Sequence, residues 1–161
     1  MMLNTFSLYL FGGTGDLANR KLLPAMFRQE ILSSFDESSE IVGVGSKELS
    51  NEDYIAMVKK SLSEYFHGFD NHEEPWQTFS KRLRYLKLDI NSEEDWNVFE
   101  KLPEDRSVIL YLATPPFLYQ TISNNLKSYN LVNKNCRVVV EKPLGTNLET
   151  SNEINDSLAN G

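Results

Sequence analysis

The sequence predicts an α/β fold: a doubly wound parallel sheet forming one domain over residues 1–161. Three observations carry this. Five short apolar runs alternate with segments long enough to be crossover helices, a glycine-rich turn joins the first run directly to a helical pattern, and 161 residues suit a single domain with a real core.

The first strand is read at 5–11 (TFSLYLF), an apolar run stopped by Gly12 and Gly13. A helix follows at 16–32. Pro24 lies inside it and marks a bend or the start of its second half, because proline is tolerated early in a helix and disruptive later. The second strand is read at 40–45 (EIVGVG). The helix after it, 51–66, opens with Ser50 and Asn51 ahead of Glu52 and Asp53, which supplies acceptors where the first amides of a helix lack them. Residues 67–80 (HGFDNHEEPWQTFS) are the least regular stretch and read as a surface excursion. Strands follow at 83–88 (LRYLKL), 107–112 (SVILYL) and 136–140 (CRVVV), with helices at 92–101, 117–129 and 147–159.

Composition bounds the function. Hydrophobic residues make up 40% and charged residues 24%, ordinary values for a globular protein. With 16 basic and 23 acidic residues the net charge is −7, the wrong sign for a nucleic-acid or anionic-membrane partner, so a phosphate ligand must be met by a few placed cations. Cys136 is the single cysteine, which excludes an intrachain disulfide and a cysteine-rich metal site and suits a reducing cytoplasm. No cationic segment precedes the first apolar run, which Gly12 and Gly13 break, so neither a signal peptide nor a membrane span is expected. His67 and His72 stand five apart beside Glu73 and Glu74, but no third ligand follows at a metal-binding spacing, and they read as surface histidines with no metal.

The chemistry concentrates at the ends of strands. After the first, Gly12-x-x-Gly15-x-x-Ala18 has the anatomy of a Rossmann-type dinucleotide pyrophosphate site: Gly12 makes the turn, Gly15 leaves room for phosphate, and Ala18 lets the helix pack against the strand. The backbone of residues 12–17 (Gly12, Gly13, Thr14, Gly15, Asp16, Leu17) is the expected phosphate cradle. Asp16 and Arg20 are spaced to pair across one helical turn, with Lys21 beside them. After the second strand, where an NAD site usually presents a carboxylate to the ribose hydroxyls, the chain reads Gly45-Ser46-Lys47. A hydroxyl and an ammonium there favour the 2′-phosphate of NADP, with NAD still possible. Ala113-Thr114-Pro115-Pro116 leaves the fourth strand as a stiff wall suited to ribose and nicotinamide, and Glu141-Lys142-Pro143-Leu144-Gly145 leaves the fifth with a cation at the carboxyl edge.

The stretch GDLANRKLLPA resembles the glucose-6-phosphate dehydrogenase family, which carries GDLAxRKLxPA right after its first strand; YLATPP and EKPLG are similar to that family's YLAxPP and EKPFG, in the same order. The resemblance implies a coenzyme-binding domain of an NADP-dependent oxidoreductase of the pentose phosphate pathway, oxidising glucose 6-phosphate to the lactone. It implies that Lys21, Lys142 and Pro143 face the sugar phosphate, that Glu141 lies beside the nicotinamide, and that the Lys142-Pro143 bond can be cis. Three departures stand out: Leu144 replaces phenylalanine, Ser46 stands where the family usually has arginine, and the family's RIDHYLGKE motif, which carries its catalytic histidine, does not occur before Gly161. The substrate and dimerisation domain is therefore expected to be absent, with no catalytic residue in this chain, no turnover by it alone, and a homo-oligomer when full length. The alternatives are a sugar oxidoreductase of the glucose-fructose oxidoreductase type, which lacks GDLAxRKLxPA, and a dinucleotide-sensing module without catalysis.

Overall fold

A computed structural model describes residues 5–33 and 35–140. Glu141, Lys142, Pro143 and the helix expected at 147–159 lie outside the described residues. All five expected strands form, as β1 (Phe6–Phe11), β2 (Glu40–Gly45), β3 (Leu83–Lys87), β4 (Ser107–Leu112) and β5 (Cys136–Val140). They make one parallel sheet in the order β3-β2-β1-β4-β5. Successive strands run outward from β1 in one direction and then, from β4, in the other. Ligands of open α/β sheets bind outside the carboxyl ends at such a reversal, here between β1 and β4, where Phe11 pairs with Leu112.

Helices cover both faces. Leu8 and Leu10 point to one, packing with α1 (Leu23–Ser33), α2 (Asn51–Tyr65) and α3 (Glu73–Arg82); Tyr9 and Phe11 point to the other, under α4 (Glu93–Asn97) and α5 (Tyr119–Ser128). The helix that follows the glycine-rich turn is continuous from Asp16, but its segment Ala18–Leu22 is π-helical, with the Leu23 amide bonding the Ala18 carbonyl. Pro24 explains the wide turn. Its nitrogen carries no hydrogen for a carbonyl one turn back, and widening the turn relieves its ring, so the regular α-helix starts around the proline. Ser50 caps α2 as expected, accepting from the Asp53 amide.

Three expectations are corrected. Residues 67–80 are not an irregular surface excursion: a 3-10 turn at Phe69–Asn71 leads into α3. Phe69, Trp76 and Phe79 are buried, and the rings of Phe69 and Phe79 lie 5.4 and 5.3 Å from that of Phe27. Glu73, Glu74 and Pro75 occupy the first turn, where carboxylates meet free amides and a proline breaks no helical bond. His72 is half-buried rather than a surface residue, edge-on to Phe27 and Phe66; His67 is exposed as expected. The helix expected at 92–101 shrinks to Glu93–Asn97, with Trp96 buried and its indole N–H donating to the Ile90 carbonyl at 2.7 Å.

Buried charge sits toward the amino edge of the sheet. The Arg82 guanidinium bonds both Glu30 carboxylate oxygens (2.6 and 3.3 Å) and the carbonyls of Phe35, Asp36 and Ser39, joining α3, α1 and the approach to β2. Arg84 bonds Glu40 at 2.9 Å and Glu100 at 3.0 and 2.8 Å, and Ser7 donates to Glu40 at 2.7 Å. Burial pushes the Glu40 carboxyl up, but the hydrogen bonds from Arg84 and Ser7 outweigh it and hold the group below its ordinary range.

Removing one partner of a desolvated ion pair strands the other, so Arg82→Met is expected to cost about 3–5 kcal/mol in urea unfolding; a loss under about 1 kcal/mol would contradict this role. Because the folded Glu40 carboxyl titrates below its unfolded value of 4.5, its contribution is present above that pH and is lost as pH falls through the folded value. Glu40→Gln should therefore narrow the stability gap between neutral and acid urea melts, and an unchanged gap would refute the assignment.

Candidate functional site

The turn after β1 is held to β2. The amides of Gly12 and Gly13 both donate to the Val44 carbonyl, at 2.8 and 3.1 Å, and the Gly15 amide returns to the Gly12 carbonyl at 2.9 Å. Gly12 has φ +84°, and a Cβ there would lie 2.8 Å from the Ala113 carbonyl oxygen of the turn after β4. A Cβ on Gly13 would lie 2.8 Å from the Cα of Gly43 in β2. Asn19 closes the turn from behind, donating to the Gly15 carbonyl at 2.8 Å and accepting from Ser61 of α2 at 2.6 Å. Ala18 is fully buried where the helix meets the sheet.

Four strand exits then enclose one open cleft of about 320 Å³. Gly12, Thr14 and Gly15 form its floor. Ser46 stands on one side, and Ala113, Thr114 and Pro115 on the other. The sequence reading missed the exit of β3, where Leu88 to Asn91 complete the rim. Of the remaining expected residues, Gly13 is buried, Leu17 is half-buried, and Asp16, Lys21 and Lys47 are exposed and do not line the cleft. Asp16 pairs with Arg20 at 2.8 Å as the spacing predicts.

The amides show which groups are left for a ligand. Those of Gly12, Gly13 and Gly15 are bonded within the fold, whereas the first amides of a helix, here at Asp16 and Leu17, have no carbonyl of their own helix to reach. Such a helix start favours an anion. Thr114 Oγ1 is buried in the cleft wall with no hydrogen-bond partner, and a buried hydroxyl ordinarily has one. A polar, anionic ligand with hydroxyls, such as a dinucleotide, fits both features.

Two tyrosines support the cleft from below. The Tyr54 hydroxyl donates to the Gly13 carbonyl at 3.0 Å and that of Tyr85 to the Lys47 carbonyl at 2.6 Å, with ring centroids 5.1 Å apart. Burial pushes both phenols above their ordinary range, so both remain neutral donors at physiological pH. The available sequence signal was Gly43, a glycine inside an apolar strand, which commonly marks a close approach.

The family model described as "Glucose-6-phosphate dehydrogenase, NAD binding domain" matches residues 9–161. The chain belongs to the glucose-6-phosphate dehydrogenase family. This favours that family over the glucose-fructose oxidoreductase type. The glucose-6-phosphate 1-dehydrogenase of Rhizobium meliloti (strain 1021) is 36% identical over 156 residues, covering 95% of this chain and 32% of that protein. The enzyme of the same name from Helicobacter pylori (strain J99) is 34% identical over 155 residues, covering 96% and 35%. Among solved structures, glucose-6-phosphate 1-dehydrogenase from Mycobacterium avium superposes with a TM-score of 0.79 at 29% identity, covering 96% of this chain and 33% of that one. The chain thus spans about a third of the length of these relatives. Its matched part is their nicotinamide-dinucleotide-binding domain, with the Rossmann-type sheet the sequence predicts. Among the described residues, no helix is long and apolar enough to cross a membrane, and no group of three or more histidine, cysteine, aspartate or glutamate side chains could hold a metal.

Because backbone rather than a movable side chain stands against it, and because φ is positive, Gly12→Ala is expected to cost about 1–3 kcal/mol in urea unfolding and to weaken dinucleotide binding. An alanine variant with unchanged stability and affinity would show that the turn does not need this geometry.

Proposed function

We propose that this chain is the NADP-binding part of a glucose-6-phosphate dehydrogenase, serving the oxidation of the C1 hydroxyl of glucose 6-phosphate to the lactone. The observation that carries the reading is the convergence of the β1, β2 and β4 exits on one cleft at the point of strand reversal, with no carboxylate directly after β2.

The helix-start amides of Asp16 and Leu17 bind the pyrophosphate, with Gly12, Gly13, Thr14 and Gly15 shaping the space beneath it. Ser46 and Lys47 meet the 2′-phosphate. Ala113, Thr114 and Pro115 form the wall against ribose and nicotinamide, and the Thr114 hydroxyl gains a ligand partner. In this reading Glu141 lies beside the nicotinamide, while Lys21 and Lys142, the latter stiffened by Pro143, meet the sugar phosphate. The coenzyme, when bound, supplies the hydride acceptor. In this reading the hydroxyl proton is taken within the full-length enzyme, a cytoplasmic homo-oligomer. NAD is accepted more weakly.

Parallel titrations with NADPH and NADH, followed by nicotinamide fluorescence, test this. One charged hydrogen bond contributes roughly 1.5–3 kcal/mol, so NADPH is expected to bind about ten- to a hundredfold more tightly, and Lys47→Ala to remove most of that preference. Equal affinities would make the site a dual-cofactor one. Binding of neither would overturn the reading.

A further inference from the structure

We infer that the Tyr85 hydroxyl is a positioning group for coenzyme choice, holding the peptide of Lys47 so that its side chain is presented to the 2′ substituent. This rests on the NADP reading above and adds to it what fixes the selecting residue.

The exit of β2 is anchored in steps. The Val44 carbonyl accepts from Gly12 and Gly13, and the Gly45 carbonyl accepts from the Leu88 amide at 2.7 Å, so both are held by backbone of neighbouring strand exits. Beyond Gly45 the chain leaves the sheet. Ser46, Lys47 and Glu48 are exposed, and core packing resumes at Leu49, followed by the Ser50 cap of α2. Midway along this span the Lys47 carbonyl is held by a side chain from β3, the Tyr85 hydroxyl. Fixing that carbonyl fixes the peptide plane after Lys47 and restricts the direction of its side chain. A lysine is flexible, so any constraint on its base reduces the entropy lost when the ammonium is placed on an anion.

The two tyrosines divide the work. Tyr54, fully buried, serves the turn after β1, which contacts the part common to both coenzymes; Tyr85 serves the turn after β2, where they differ. Both occupy room left by glycines in β2: a Cβ on Gly43 would lie 2.3 Å from Tyr54 Cζ, and one on Gly45 would lie 3.0 Å from the Tyr85 hydroxyl. The strand's two glycines therefore let the two hydroxyls reach two different turns.

The test is a crossed pair of variants of the 161-residue chain, each titrated with NADPH and NADH after a thermal melt establishes that it is folded. Tyr85→Phe removes one hydroxyl and keeps the ring, so the NADPH-over-NADH preference should fall about three- to tenfold, through weaker NADPH binding. Tyr54→Phe should weaken both coenzymes together and leave the ratio unchanged. In a Lys47→Ala background Tyr85→Phe should lower the ratio no further, since the hydroxyl acts through that lysine. A wild-type chain that prefers NADPH, with a Tyr85→Phe variant of the same ratio, overturns this inference alone. A wild-type chain with no preference overturns the NADP reading and the inference with it. If Tyr85→Phe does not fold, the hydroxyl's role is general stability and the inference fails.

Discussion

One close approach organises the carboxyl edge: the backbone of Gly13 against that of Gly43, with two consecutive amides sharing the Val44 carbonyl. A side chain at Gly13 would push the turn and the helix start that follows it away from β2, and one at Gly43 would collide with the Tyr54 ring. The arrangement has an inherent cost, since a glycine inside a strand is destabilising by about 0.5–1 kcal/mol, and β2 contains two. The fully buried Tyr54 occupies the space so left. An aromatic ring of this size removes roughly 150 Å² or more from water, which at about 25 cal/mol per Å² outweighs both glycines. The hydroxyl hydrogen bond to Gly13 then adds direction to what is otherwise only packing.

The opposite edge is treated differently. Arg82 with Glu30, and Arg84 with Glu40 and Glu100, neutralise one another where the strands begin. Arg82 and Glu30 are fully withdrawn from water and the Arg84 set is half-buried, so the Arg82–Glu30 pairing above all specifies how α1 and α3 assemble more than it adds net stability. At the carboxyl edge Asp16, Lys21 and Lys47 are exposed, and helix amides face outward. The paired charges close the amino edge into a joint, whereas the carboxyl edge is left open as a cleft.

The strands were legible because a parallel sheet covered on both faces needs near-continuous apolar runs, and each of the five stands between polar segments. The glycine turn was legible for a comparable reason: its conformation restricts the residue type. Helix α3 was not. Gly68, Asp70, Asn71 and Pro75 read as loop residues, while Phe69, Trp76 and Phe79 reveal their common face only once Phe27 is folded against them. Tyr54 and Tyr85 were illegible on other grounds, since the chain separates them from their partners by 41 and 38 residues and no local period encodes such a pairing. Gly43 alone hinted that something large must come close.

The departure at position 46 gains meaning from this support. The family resemblance places an arginine there, whose planar fork is already shaped for a phosphate; this chain has Ser46 followed by Lys47, a short hydroxyl and a long flexible ammonium. Ordering such a stem costs on the order of 1.5–2 kcal/mol, comparable to what one charged hydrogen bond returns. A lysine on a loose turn would therefore discriminate poorly. With the carbonyls of Val44, Gly45 and Lys47 all engaged, the turn itself has little freedom left to lose. Selectivity in the NADP reading then follows from a held backbone as much as from the charge it carries.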